Sequence, residues 1–259
     1  MLLHTMDTFG NGCAHLAFQA WPYRAIHIAI SHMLNAMQRL FPNPVASLTV
    51  ADAYGVVRTR VDVGDGKSRP TIGMCMVHSI DGSTVVAGNS RALGSPGDLA
   101  VLLGLRALAD VIIVGSSTVT IDDYGPPSKP GLRVGVVTRS ANIDATKPLF
   151  TSGSGFLITT ETAATPAGIE CVRAGSTEVN LAEAVTQLQG NFAQLEGGPT
   201  LNAAMLAADL VDEINVTVSA NMVGGNGPRL TNGAPDVLKR YKLAHVCEED
   251  GFLFLRYTR

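Results

Sequence analysis

Several devices that declare a function are missing from these 259 residues. No G-x-G-x-x-G occurs, so the usual dinucleotide fingerprint of a Rossmann fold is not there. Cys13, Cys75, Cys171 and Cys247 lie far apart without a C-x-x-C pair, which argues against a disulfide framework and against a zinc site. Charged residues make up only 16%, the formal net charge is -3, and no long basic run is present. A nucleic-acid or anionic-membrane surface therefore has no electrostatic support. The apolar stretch from Tyr23 to Phe41 is broken by His27, His32, Asn35 and Gln38 and has no basic segment before it. That argues against a signal peptide and a membrane span. The expected setting is reducing and cytoplasmic.

What is present is a 46% hydrophobic chain, ample for a buried core. Low charge with plentiful Ala, Val, Leu and Gly suits an α/β protein whose central strands are covered on both faces. Residues 1–68, with the only tryptophan, Trp21, read as an N-terminal extension, partly helical or poorly ordered. Its histidines His4, His15, His27 and His32 form no ligand pattern, and no metal site is expected.

From Arg69 onward short apolar runs alternate with helical stretches, and residues 69–259 are expected to form one domain. Thr71 to Val77 reads as a buried strand followed by an Asp81-Gly82 turn. Ser95-Pro96-Gly97-Asp98 reads as a helix start: Ser95 caps, Pro96 fits the first position, and Asp98 favours the dipole. Leu99, Leu102 and Leu103 would then face the sheet. Further strands are expected at Val111 to Val114, Arg133 to Thr138, Gly155 to Thr160, Phe192 to Leu195 and Glu213 to Ser219. Asn180 and Glu183 form an N-cap signature for a helix to about Gln189. Pro199 to Ala208 reads as another helix, and Ala244 to Tyr257 as one or two antiparallel edge strands. Such alternation implies a mostly parallel sheet with helices on its faces.

Open parallel sheets bind ligands beyond the carboxyl ends of their strands. Three turns fall at such ends: Gly115 to Thr118, Thr138-Arg139-Ser140, and Glu196 to Thr200. In the last, paired glycines let backbone approach a ligand, and the following helix offers free N–H groups that favour a pyrophosphate. Glycines alone fit an ordinary strand-to-helix turn equally. Thr138-Arg139-Ser140 offers two hydroxyls and a cation, a set that suits a phosphate monoester such as the 2′-phosphate of NADPH. Asp81 fits either a turn aspartate or a proton source, and Arg106 either a solvated helix residue or an anchor for an anionic substrate.

Taken in order, Met76-Val77-His78-Ser79-Ile80-Asp81-Gly82, Leu105-Arg106-Ala107, Gly115-Ser116-Ser117-Thr118-Val119 with Asp122-Asp123, Leu195-Glu196-Gly197-Gly198-Pro199, Leu210-Val211-Asp212-Glu213 and Val223-Gly224-Gly225 form a series. From about residue 70 to the end this series resembles the reductase domain of riboflavin biosynthesis, the 5-amino-6-(5-phosphoribosylamino)uracil reductase family. The resemblance implies a dihydrofolate-reductase-like fold: three layers, a mostly parallel central sheet with helices on both faces, and an antiparallel C-terminal edge. It implies hydride transfer from NADPH to a ribosyl carbon, giving a ribityl chain. Val77, Gly115, Thr118, Asp122 and the turn Gly197, Gly198, Pro199, Thr200 and Leu201 would hold NADPH, with Thr138, Arg139 and Ser140 near the adenosine phosphate. Ser90, Arg106 and Glu196 would meet the substrate, and Asp81 would stabilise or protonate the developing amine. A homodimer is also implied.

Three positions depart from the family pattern. Ser83 stands where many members carry a basic residue, Ala92 where they carry tryptophan, and Lys129 is the candidate replacement for a phosphate-binding arginine. The H-x-E and P-C-x-x-C signature of the deaminase that many relatives carry is absent, so a reductase without deaminase activity is expected. Two alternatives stay open: a dihydrofolate- or dihydropterin-type C=N reductase on the same scaffold, and an NADPH-binding protein without turnover.

Overall fold

The computed structural model describes residues 37–233 and 235–259. Trp21 and the four early histidines lie outside these residues, as does most of the stretch from Tyr23 to Phe41. The last part of that stretch, Met37–Phe41, is a strand, β1, followed by β2 (Val45–Leu48) and the short helix α1 (Val50–Tyr54). Thr49 starts α1 with a capping box: its hydroxyl accepts from Asp52 N, and the Asp52 carboxylate accepts from Thr49 N at 2.9 Å. A small hairpin, β3 (Val61–Gly64) and β4 (Lys67–Arg69), leads into β5 (Thr71–Ser79).

The remaining elements are α2 (Pro96–Leu108), β6 (Val111–Gly115), α3 (Ser116–Ile121), β7 (Arg133–Val137), α4 (Pro148–Thr151), β8 (Gly155–Thr159) and β9 (Cys171–Arg173). After them come α5 (Leu181–Thr186), β10 (Phe192–Leu195), α6 (Pro199–Ala207), β11 (Glu213–Ser219), β12 (Lys242–Glu249) and β13 (Phe252–Thr258). One 11-stranded sheet runs β2-β1-β12-β13-β11-β5-β10-β6-β7-β8-β9. Every neighbouring pair from β11 to β9 is parallel, and every pair from β2 to β11 is antiparallel.

Two expectations need correction. The boundary at residue 69 falls inside the fold, because β1 pairs with β12 and extends the main sheet. For the same reason β12 and β13 are interior strands, with β1 and β2 protecting what would otherwise be an open edge. The signal was faint: β1 and β2 are short and mostly exposed, so neither shows an apolar run.

Side-chain alternation splits the sheet's apolar residues into two cores. Along β6, Ile112 and Val114 join one cluster and Val111 and Ile113 the other. The first is covered by α1, α2 and α4 through Tyr54, Val101, Leu105 and Leu149; the second by α5 and α6 through Val185, Leu201 and Met205. α2 begins as expected, with Ser95 Oγ accepting from Asp98 N at 3.1 Å. Its buried stripe is Gly97, Val101 and Leu105, not the expected leucines, and Leu99 is half exposed. Gly104 lets α1 pack closely, since a Cβ there would lie 2.5 Å from Val50 Cγ1.

A buried polar node joins the two halves of the sheet. Glu213 accepts from Arg58 Nη2 at 2.7 Å and from Arg256 Nη2 at 2.8 Å. Beside it, the buried His245 ring meets Tyr54 edge-on at 4.7 Å. Burial pushes the His245 imidazole down to about 4; Arg256 adds to the shift and Glu213 opposes it.

Candidate active site

The site follows from unequal strand lengths. β10 stops at Leu195, opposite Met74 of β5 and Ile113 of β6. β5 continues along β11 to Ser79, and β6 continues along β7 to Gly115. Glu196 N still donates to Ile113 O at 3.0 Å, and Gly115 N to Gly197 O at 2.7 Å. The chain leaving β10 therefore stays on the β6 side, and its pairing with β5 ends. A cleft of about 880 Å³ lies at this carboxyl edge, within the range of pockets that hold small-molecule ligands.

Part of the candidate cofactor set lies together here. Val77 on β5, Gly115 at the end of β6, Thr118 in α3 and Asp122 just after it line the cleft. So do Gly198, Pro199, Thr200 and Leu201. Gly198 is the N-cap of α6 and gives no side-chain cap, and Pro199 occupies the first turn. The free N–H groups of that turn are thus left for a ligand. Gly197 has φ +82°, which an L side chain rarely adopts, and the Gly197–Gly198 peptide is cis. A Cβ on Gly198 would lie 2.9 Å from Thr118 Oγ1, so glycine keeps the cradle open. Burial raises the Asp122 carboxyl, with Arg91 opposing and Glu196 adding to the shift.

The substrate-facing candidates Ser90, Arg106 and Glu196 line the same cleft. Arg106 and Glu196 form a bidentate pair: Nε to Oε1 at 2.7 Å and Nη2 to Oε2 at 2.6 Å. Tyr124 completes the group, its hydroxyl donating to Glu196 Oε2 at 2.5 Å and accepting from Arg106 Nη2 at 2.6 Å. Burial alone would lower the Arg106 pKa, but the hydrogen bonds and charge of Glu196 raise it overall. The Tyr124 phenol is pushed far up by burial and by Glu196, so both groups keep their protons.

Three candidates take other places. Asp81 is not among the cleft residues: its carboxylate accepts from Ser79 Oγ at 2.5 Å, Val223 N at 3.1 Å and Gly224 N at 2.6 Å. These bonds, led by Ser79, hold its pKa down to about 2, which is a loop anchor and not a proton donor. Lys129 Nζ donates to Ala109 O at 2.6 Å, at the C-terminal end of α2, where a cation is favourable. That end feeds the amino end of β6, opposite the cleft. The turn Thr138-Arg139-Ser140 is not among the residues that line the cleft; Thr138 is buried and Arg139 forms an exposed pair with Glu178 at 2.8 Å.

Three cleft residues went unread in the sequence. Arg91 enters through a one-turn helix, Arg91–Leu93, and forms no ion pair among the described residues. Tyr124 gave no signal beyond its place after Asp122-Asp123. Asp98 shows in the sequence only as a helix-start residue, yet it lines the cleft. Ser83 is buried and donates to Val85 O at 2.9 Å, so no charge replaces the basic residue common in relatives.

Comparison with known proteins identifies the family. Residues 70–251 match the family described as the RibD C-terminal domain. The 2,5-diamino-6-ribosylamino-4(3H)-pyrimidinone 5′-phosphate reductase of Methanothermobacter thermautotrophicus is 30% identical over 215 residues, spanning 73% of this chain and 98% of that protein. Among solved structures, a pyrimidine reductase-like protein from Corynebacterium diphtheriae superposes with a TM-score of 0.67 at 21% identity, covering 81% of this chain and 97% of its own. The riboflavin biosynthesis reductase Rib7 of Saccharomyces cerevisiae does so with a TM-score of 0.57 at 18% identity, covering 73% and 90%. With its dihydrofolate-reductase-like sheet and the ordered site at that sheet's carboxyl edge, the chain belongs to the riboflavin-biosynthesis pyrimidine reductases of the RibD C-terminal domain family.

Proposed function

We propose that this chain is an NADPH-dependent reductase that converts a phosphoribosylamino-pyrimidine to its ribitylamino product, without deaminase activity of its own. The observation that carries the reading is the Arg106–Glu196–Tyr124 group, which stands directly before the Gly197–Gly198 cradle in one cleft. The open cradle at Gly198 and the uncapped start of α6 fit a dinucleotide pyrophosphate. Bound there, the nicotinamide supplies a hydride to the anomeric carbon. The protein aligns the two ligands: Gly198 to Leu201 hold the dinucleotide, while Arg106 and Glu196 fix the pyrimidine. Arg91 is the cation available to the ribose phosphate. A preference for NADPH is expected from Arg139, whose exposed pair with Glu178 costs little to exchange for a 2′-phosphate. A homodimer in a reducing, cytoplasmic compartment completes the reading.

The substrate suggested by the sequence is 5-amino-6-(5-phosphoribosylamino)uracil; the compound named for the archaeal relative is its 2-amino counterpart. A dihydropterin-type reductase is the second reading, favoured by the absence of Lys129 from the cleft. Loss of reduced-cofactor absorbance, followed with both pyrimidines and with dihydrofolate, decides among these. Oxidation with a pyrimidine is the expected result. Oxidation with dihydrofolate alone supports the second reading, and binding of NADPH without any oxidation supports a non-catalytic role.

A further inference from the structure

We propose that Asp98 is the acid of this site, giving the proton that opens the ribosyl ring of the substrate. The assignment rests on the reductase reading above.

Asp98 lies in the first turn of α2, where its N–H donates to Ser95 Oγ, so its own carboxyl is not used in the cap. Asp98, Leu102 and Arg106 recur every fourth residue, so they share one stripe of the helix, and all three line the cleft. Eight residues of helix span about 12 Å. A pyrimidine held at Arg106 and Glu196 can therefore set its sugar against Asp98.

The surroundings suit a proton donor. Thr217 on β11 donates a hydrogen bond to the carboxyl, and Cys75 on β5 lies near enough for Asp98 to raise its thiol pKa. Glu249 at the end of β12 packs on the neighbouring Gly97, and Glu196 and Arg106 lie farther along the cleft, locked to each other. Among the described residues, no cation pairs with Asp98. Burial raises its pKa and only the Thr217 bond opposes, which poises it for donation. The other cleft acids are spent elsewhere: Glu196 accepts from Arg106 and Tyr124, and Asp123 pairs with Lys147 at 2.8 Å. Asp122 sits beside Thr118 on the cofactor side and within the field of Arg91.

The step balances as follows. Asp98 gives its proton to the ring oxygen O4′, the C1′–O4′ bond breaks, and its electron pair stays on oxygen as a hydroxyl. The exocyclic nitrogen, still bearing its hydrogen, forms a C1′=N iminium. A hydride from the reduced nicotinamide adds to C1′, leaving the ribitylamine, the oxidised cofactor and an Asp98 carboxylate that regains a proton from solvent.

The test compares wild-type, Asp98→Asn, Asp122→Asn and Thr217→Val enzymes with NADPH and either pyrimidine across pH. Wild-type kcat should fall as pH rises through the Asp98 pKa. Asp98→Asn should lose about 10²-fold or more in kcat, with KM, cofactor affinity by calorimetry and melting temperature little changed. Thr217→Val removes the bond that favours the carboxylate, so the decline should move to higher pH. Carbon-13 NMR of the cofactor-free protein should show an aspartate carboxyl titrating above the usual range that is lost in Asp98→Asn and kept in Asp122→Asn. Unchanged kcat in Asp98→Asn, a rise in KM alone, or a pH limb lost in Asp122→Asn but kept in Asp98→Asn overturns the assignment and leaves the reductase reading standing. A wild-type protein that oxidises no cofactor with either pyrimidine overturns both.

Discussion

Replacing Glu196 by glutamine tests whether the Arg106–Glu196–Tyr124 group is a working unit. The carboxylate accepts three short bonds: two from Arg106 and one from Tyr124. An amide of the same shape keeps one oxygen for Arg106 Nε but turns an NH2 toward Arg106 Nη2, so one charge-assisted bond is lost. Such a bond contributes about 1.5–3 kcal/mol. The guanidinium also keeps its charge with only a neutral partner, and breaking a buried pair costs about 3–5 kcal/mol. The Arg106 side chain is 21% exposed and Glu196 only 6%, so water relieves part of that penalty. The expected net loss is about 3 kcal/mol, a fall in Tm of about 6–12 °C for a domain of this size. Tyr124→Phe alone should cost less, and the double variant should fall short of the sum because the residues share one network. Thermal melting of the three variants measures this, and KM for the pyrimidine should rise in Glu196→Gln. A Glu196→Gln protein that melts within about 2 °C of wild type, with unchanged KM, would refute the reasoning.

Stability should also depend on His245. Its pKa is about 4 in the fold and about 6.5 when unfolded, so the neutral ring stabilises fully above the unfolded value. About 3 kcal/mol is then lost as pH falls from 6.5 to 4. Urea unfolding across that window should show the slope in wild type and a flatter one in His245→Gln; equal slopes would exclude it as the source. Gly198→Ala should weaken NADPH binding at least tenfold, because the new Cβ meets Thr118 and narrows the cradle; calorimetric affinity within twofold of wild type would mean that the cradle is not the dinucleotide site. Lys129→Ala should leave kcat and KM unchanged and cost under about 1 kcal/mol in stability, whereas a higher KM for the phosphorylated substrate would return Lys129 to the site.

Most of the parallel half of the sheet was legible because its longer strands are largely buried and are closed by a turn or a helix start; β9, three half-buried residues, was not. β10 and β11 begin and end where the residues suggest, as does the Ser95 start of α2. β1 and β2 were not legible: β1 is held by pairing with β12, where Gln38 meets Glu248 210 positions on, and β2 is held by β1, not by local pattern. The Gly197–Gly198 turn and the start of α6 could be read because they depend on backbone, glycine and helix geometry that leave marks in sequence. The proton source could not. Asp81 and Asp98 are both aspartates beside structural punctuation, and only burial separates a carboxylate bound by backbone N–H groups from one left facing a cleft. Lys129 shows the same limit, since a flexible side chain can answer a nearby helix end instead of a distant ligand.

The early stop of β10 has a consequence for how such a protein can change. The cleft is framed by β5 and β6, whose positions are set by ladder hydrogen bonds to their outer neighbours and not by the loops above. Residues from Asp122 to Pro126 can thus be altered, lengthened or given a new polar group while the frame that aligns the two ligands stays fixed. Tyr124, in that loop, already contributes to the fixed group below it. Ligand choice is therefore open to loop variation, while the position of the cleft itself is tied to the length of one short strand.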